Sequence, residues 1–310
     1  MNKCGIAKKD LVCAGELGRE EIFELIEAAG KLKKKPLSKR RALKNKTLAL
    51  LFQKPSNRTR ISFEVGMKQL GGHAMYLSPQ EIDMGVREPV KDVACVLSRY
   101  VDVIVARVYK HEDILTLAHY STVPVINGLS DFCHPCQALA DIFTIKERCK
   151  NLKRAHLAYV GDGNNVCNSL LMVAAFTGTK MTVSTPKGYE PNKEVFEKAV
   201  NIAKRNASSV EYFVDPAMAA KGANFIYTDV WTSMGQESER EKRLKDFQGF
   251  QINETLMGFA EKDALIMHCL PAHRGEEVSD IVDGKNSIIY DQAENRMHMQ
   301  KAILLKLMCE

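Results

Sequence analysis

Several polar segments in this chain each follow a short apolar run of strand character, and each carries residue types able to hold or activate a small charged molecule. Gln53-Lys54-Pro55-Ser56-Asn57-Arg58-Thr59-Arg60 follows the run 47–52, Arg107 follows 102–106, and Gly128 with His134-Pro135-Cys136-Gln137 follows 123–127. Further on, Gly161-Asp162-Gly163-Asn164-Asn165 follows 156–160, Asp229 with Ser233-Met234-Gly235 follows 225–228, and Cys269-Leu270-Pro271 follows 265–268. Ser56 is a good N-cap for a helix opening at this point, and the free N–H groups of a first helical turn attract anions. Arg58 adds a planar fork suited to phosphate oxygens. Taken alone, the segment reads equally well as a capped helix with surface arginines. Arg107 and His134 at neighbouring strand ends tip the balance toward an anion site.

The other segments read in the same two ways. His134 precedes Pro135 on a stiff loop before a helix, where it can donate a hydrogen bond to a carbonyl oxygen, with Gln137 one turn away. Asp229 can grip an ammonium group, or merely close a turn. Cys269 is either an inert buried thiol or a group that orients a nucleophile, and with His268 it could capture zinc adventitiously. The Gly161-Asp-Gly-Asn-Asn segment lacks the third glycine of a dinucleotide fingerprint, which weakens the case for a nicotinamide-dependent oxidoreductase.

These segments need elements to position them. Strand candidates are 47–52, 72–77, 102–106, 123–127, 156–160, 181–184, 210–213, 225–228, 265–268 and 288–290. Helical patterns lie between them, at 60–70, 90–100, 136–150, 166–177 and 193–205. Such alternation means parallel sheets flanked by helices, an α/β fold, with ligands outside the carboxyl ends of the strands. The helix at 136–150 divides the chain, with about five strands on each side. Two domains are expected, 1–150 and 151–290, each a parallel sheet flanked by helices, and one crevice between them would gather the polar segments. The terminal segments 16–34 and 291–308 read as helices, and the last helix, 291–310, is expected to pack back on the first domain.

Bulk properties agree. A length of 310 residues with 45% hydrophobic content suffices for two cores. The surplus of 44 basic over 38 acidic residues, +6, helps draw in anionic metabolites but is too small to imply nucleic acid. The basic run from Lys31 to Arg41 lacks aromatics and reads as a solvated helix end and loop. Nine scattered cysteines with no apolar leader suggest free thiols in a reducing cytoplasm. Cys133 and Cys136 form a C-x-x-C that lacks a second pair, weak evidence for zinc or redox chemistry. No apolar run approaches the roughly 18 residues that span a membrane.

Phe52-Gln-Lys-Pro-Ser-Asn-Arg-Thr-Arg60 with Ser62-Phe63-Glu64 resembles the carbamoyl-phosphate signature shared by aspartate and ornithine carbamoyltransferases. His134-Pro-Cys-Gln137, Asn164-Asn165, Asp229 with Ser233-Met-Gly235, His268-Cys-Leu-Pro271 and Asp291-Gln-Ala-Glu-Asn-Arg296 are similar to the ornithine branch. The resemblance implies transfer of the carbamoyl group of carbamoyl phosphate to the δ-amine of L-ornithine, giving L-citrulline and phosphate in arginine metabolism, by a homotrimer or a multiple of trimers. It implies no cofactor and no resident metal. Carried over by motif, Ser56, Asn57, Arg58, Thr59, Arg107, His134, Pro135, Cys136, Gln137, Cys269, Leu270 and Arg296 hold carbamoyl phosphate. Asn165, Asp229, Ser233 and Met234 hold ornithine, and Arg58, Arg107, His134, Asp229 and Cys269 carry the catalysis. Two positions depart from the pattern. Asn57 replaces a common Thr, and Asp83 stands where many relatives have a phosphate-contacting Gln, so Asp83 is left out of the site, with Gln80 a candidate substitute. Other acceptors (putrescine, aspartate or a modified ornithine) are the nearest rivals, and a non-catalytic paralogue is disfavoured by Arg58, Arg107, His134 and Cys269.

Overall fold

The computed structural model describes residues 10–233 and 236–309, which fall into two compact units: the chain through Phe143 together with Asn295 onward, and Thr144–Glu294. The first unit holds β1 (Thr47–Phe52), β2 (His73–Leu77), β3 (Val103–Arg107) and β4 (Val125–Leu129). They form one parallel sheet in the order β2-β1-β3-β4. β1 and β3 are buried almost throughout, which is why both read as unbroken apolar runs rather than alternating ones. The sheet's helices are α1 (Arg19–Lys34), α2 (Asn57–Gln69), the short α3 (Pro79–Ile82), α4 (Val90–Leu97), α5 (His111–Tyr120) and α6 (Pro135–Arg148). From β1 the chain steps outward to β2, then returns to place β3 on the other side of β1. That reversal is a topological switch point, where an open α/β sheet leaves a crevice at its carboxyl edge.

The second unit holds β5 (His156–Val160), β6 (Lys180–Ser184), β7 (Val210–Phe213), β8 (Phe225–Thr228) and β9 (Leu265–His268), parallel in the order β7-β6-β5-β8-β9. Its switch point lies between β5 and β8. Helices α7 (Asn165–Thr177), α8 (Lys193–Arg205), α9 (Pro216–Ala220), α10 (Arg240–Asp246) and α11 (Glu254–Met257) connect the strands, and α12 (Ile289–Cys309) returns the chain to the first unit. There Lys301 of α12 donates from Nζ to Gln69 Oε1 at 2.7 Å, and Lys306 meets Glu24 at 2.9 Å. α7 is apolar on nearly every side and correspondingly buried. Among the described residues no helix is long and apolar enough to cross a membrane.

Three expectations change. Among the described residues the first sheet has four strands, not about five. Of residues 288–290, expected as a strand, Ile289 and Tyr290 open α12: the chain makes one parallel bridge just before them, Ser287 to Ile266 of β9, and then turns helical. Two adjacent isoleucines gave it strand character, but both are buried without extending the ladder. The strand expected at 123–127 begins only at Val125. Pro124, with no N–H to donate, contributes just its carbonyl, which accepts from Ile104 N at 2.9 Å. β4 is the sheet's outer strand, and the N-terminal segment lies along it: Leu11 N donates to Val125 O and Asn127 N to Leu11 O. The basic run after α1 is largely exposed, as a solvated loop should be.

Candidate functional site

In the first unit the chain leaves β1 through Gln53 and Lys54 and enters α2 at Ser56. Ser56 is the N-cap in an extended conformation, and its Oγ accepts from Thr59 N at 3.4 Å. The strand ends are pinned together by Gln53: its N–H donates to Arg107 O at 2.8 Å, and its side chain bonds Met84 O, Asp113 and Tyr109 N. Arg107, the last residue of β3, is therefore fixed beside the start of α2, and it is only 7% exposed. His134 stands immediately before α6, whose first residue is Pro135, a position where the missing N–H costs nothing.

Arg296, from α12, ties the group together. It donates from Nη2 to Thr59 Oγ1 at 2.8 Å and from Nη1 to Gln137 Oε1, while Gln137 Nε2 donates to Asp141 Oδ1 at 2.7 Å. Burial, reinforced by the charges of Arg296, Arg107, Lys54 and Arg58, holds the His134 imidazole well below its ordinary pKa. His134 is thus a neutral ring at pH 7, with one N–H to donate among four cationic side chains. Thr59, Arg107, His134, Gln137 and Arg296 are all buried, Arg58 and Ser56 half-buried, and Asn57 exposed.

Lys54 lies in the polar segment after β1 but was not among the expected site residues. It is 7% exposed, with Nζ 5.0 Å from the Tyr109 ring centre. Its signal was its place directly after β1, the same signal that marked Arg107. Cys136 is buried and donates to Asn127 O at 3.5 Å, and burial, opposed by the Arg296 charge, pushes its thiol up to about 12. Asp83 is exposed in a left-handed turn after α3, and Gln80 is exposed as well.

The second unit builds a different group. Asp229, just past β8 and 6% exposed, accepts at Oδ1 from Cys269 Sγ (2.9 Å) and Val230 N (2.8 Å), and at Oδ2 from Asn164 Nδ2 (2.8 Å). Three donors thus fix the carboxylate. Asn164 is the N-cap of α7, its Oδ1 accepting from Val166 N and Cys167 N. The asparagine brought to Asp229 is this one; Asn165 is the first residue of α7. Ahead of them, Gly163 approaches the 189–191 backbone so closely that a Cβ would fall 2.3 Å from Pro191 N, so only glycine fits.

Cys269 and Leu270 follow β9. Leu270, at φ 63, donates its N–H to His268 Nδ1 at 2.8 Å, so His268 carries its proton on Nε2 and donates it to Glu277 Oε1 at 3.2 Å. Ligand atoms of Asp229, His268 and Cys269 lie within 4.8 Å of one another, but both ring nitrogens of His268 are engaged in holding this turn. Ser233 is half-buried and donates its N–H to Gln236 Oε1; Met234 and Gly235 lie outside the described residues.

A buried ion pair that sequence reasoning did not foresee supports the loop after β8. Arg243 meets Asp162 at 2.9 Å and donates to Trp231 O at 2.9 Å. Burial raises the Asp162 carboxyl to about 6 even though Arg243 pulls it down.

Fold and side chains define a two-unit α/β protein with a cationic group at one switch point and an anchored carboxylate at the other. Residues 9–147 match the family model described as the carbamoyl-P binding domain of aspartate/ornithine carbamoyltransferase, and 153–307 match its Asp/Orn binding domain. The chain is 52% identical over 303 residues to an ornithine carbamoyltransferase of Archaeoglobus fulgidus, covering 97% of both chains. It is similar to the solved ornithine carbamoyltransferase of Pyrococcus furiosus, with TM-score 0.94, 52% identity and 98% of each chain covered. For the anabolic enzyme of Campylobacter jejuni the TM-score is 0.92, at 41% identity, covering 96% of this chain and 98% of that one. The chain belongs to the aspartate/ornithine carbamoyltransferase family.

Proposed function

We propose that this chain transfers the carbamoyl group of carbamoyl phosphate to the δ-amine of L-ornithine, releasing L-citrulline and phosphate, in arginine biosynthesis. One observation carries the reading: Lys54, Arg58, Arg107 and Arg296 gather about a buried, neutral His134 at the open edge of the first sheet. The first unit is the carbamoyl-phosphate domain, and the second the ornithine domain. Carbamoyl phosphate is a mixed anhydride, already activated, so a neutral amine can attack its carbonyl carbon directly and expel phosphate without a covalent enzyme intermediate. His134, Arg107 and Thr59 stabilise the carbonyl oxygen as it gains charge, and Arg58 with the first turn of α2 stabilises the departing phosphate.

Asp229, with Cys269, orients the amine. Positioning two substrates supplies about 7–11 kcal/mol of barrier reduction. Against this, holding a lysine-like amine neutral at pH 7 costs about 4.6 kcal/mol. Positioning wins, and the chemical step speeds up with pH until the bound amine is neutral. The family resemblance supports a trimer, to be read as a solution mass about three times 34.7 kDa. Free cysteines among the described residues suit a reducing cytoplasm.

The deciding experiment measures initial rates of carbamoylation with ornithine, putrescine and aspartate at saturating carbamoyl phosphate. Ornithine should dominate, with citrulline as product. Equal or faster turnover of another acceptor overturns the assignment.

A further inference from the structure

The C-x-x-C at Cys133 and Cys136 does not close on itself. Cys136 is buried against Asn127 O, and the sulfur beside Cys133 belongs instead to Cys13. The N-terminal segment brings it there: Leu11 is paired with Val125 and Asn127 of β4, and Asn127 Nδ2 holds Val12 O at 3.0 Å. Cys13 Sγ and Cys133 Sγ end up 2.7 Å apart. That is closer than unbonded sulfurs normally approach, and roughly 0.7 Å longer than an S–S bond of about 2.03–2.05 Å.

A third group faces the pair. His111 Nε2 is 3.6 Å from Cys13 Sγ, and its Nδ1 is 2.8 Å from Ser130 Oγ, while Asp131 Oδ1 accepts from its backbone N–H. We propose that Cys13 and Cys133 form a dithiol site that small-molecule disulfides convert to an intramolecular disulfide, with Cys13 the attacking sulfur and Cys133 the resolving one.

The roles follow from the surroundings. Cys13 is half-buried and reachable, whereas Cys133 is 3% exposed. Hydrogen bonding from Cys133 and then the adjacent His111 hold the Cys13 thiol down to about 6, against burial and the charge of Glu16. Cys133 is pushed up by the same bond and by burial. The Cys13 thiolate attacks one sulfur of the external disulfide, forming a mixed disulfide and expelling one thiolate. The Cys133 sulfur, steadied by Asn127 Nδ2 at 3.4 Å, then attacks Cys13 Sγ and expels the second. The protons of Cys13 and Cys133 end on the two released thiols; the two cysteines are oxidised and the external disulfide is reduced. A zinc ion on both thiolates is a poorer fit, since bonds of about 2.3 Å at a tetrahedral angle hold sulfurs roughly 3.8 Å apart. His134 directly follows Cys133, so the bond would anchor the turn that carries it.

The test uses the full chain, reduced, freed of reductant and exposed to oxidised glutathione at pH 7, with intact mass and non-reducing peptide mapping as readouts. The expected product has lost two hydrogens, carries a Cys13–Cys133 cross-link, forms at least about tenfold faster than any other thiol reacts, and reverts with dithiothreitol. In Cys133→Ser, one glutathione should instead remain on Cys13. A cross-link between Cys133 and Cys136, or no cross-link with glutathione spread over exposed cysteines, overturns the proposal. So does one tightly bound zinc that blocks oxidation and is lost in Cys13→Ser.

Discussion

At the switch point of the first sheet, four cationic side chains stand about a histidine kept neutral by burial and by those same charges. At the switch point of the second, a carboxylate is fixed by a thiol, an amide and a backbone N–H, and a second carboxylate nearby has its own arginine. The difference lies in where the opposite charge comes from. Like charges gathered in a buried pocket repel, and an arriving dianion relieves that repulsion. The second site instead balances its structural charge internally, through Asp162 and Arg243, and leaves Asp229 oriented for a cationic or amine partner. Cutting the internal pair should therefore damage folding, whereas cutting the cations proposed to hold the phosphate should damage function.

The largest effect expected is on stability. Arg243→Met leaves Asp162 buried without its ion partner, and breaking one side of such a pair costs about 3–5 kcal/mol. Urea unfolding measures this; a loss below about 1 kcal/mol would mean the second unit does not depend on internal charge balance. Slightly smaller, and in the opposite currency, Arg58→Ala should lower kcat/KM for carbamoyl phosphate about 10²–10³-fold while leaving the melting temperature nearly unchanged. Near-normal turnover in that variant would remove Arg58 from the phosphate site.

The third effect is a pH slope. His134 has a folded pKa depressed below its unfolded value near 6.5, so the unfolded chain takes up a proton that the folded chain refuses. Its contribution is absent well above pH 6.5, and stability falls as pH drops below that value, by about 1.4 kcal/mol per pH unit until the folded ring protonates. His156, lowered mainly by burial, adds to the slope with the same sign. His134→Asn should flatten the slope by one proton's worth between pH 6 and 5. An unchanged slope would mean that His134 is not held neutral by burial and its cationic neighbours.

How much of this was legible in the sequence depends on the range of the interaction. β1, β5, β8 and β9 stand where their apolar runs put them, because a strand buried on both faces announces itself locally. Ser56 was readable as a cap for the same reason: its bond reaches only three residues. The start of α12 was not, because whether Ile288 and Ile289 extend a ladder depends on β9, which accepts one bridge and no more. The burial of Lys54 was hidden because a long side chain after a strand can point to solvent or inward, and the Tyr109 ring that helps hold it comes from another loop. Arg243 is separated from Asp162 by 81 residues and Cys13 from Cys133 by 120, and nothing local marks either pairing.

The smallest effect tests the first site most finely. Ser56 has two possible duties at once: its Oγ caps α2, and its place at the head of that helix puts it where an anion would dock. The cap is a long bond, 3.4 Å, so Ser56→Ala should cost about 0.5–1 kcal/mol, at the low end for such positions. If the cap is the whole role, Ser56→Asp, which caps equally well, restores stability and leaves carbamoyl-phosphate affinity unchanged. If Ser56 touches the ligand, Ser56→Asp regains the stability but binds carbamoyl phosphate worse than Ser56→Ala, because a carboxylate then faces the phosphate. The second outcome is the one expected, and calorimetric titration of the two variants separates them. Equal affinities would confine Ser56 to the helix and leave the cationic side chains to hold the anion alone.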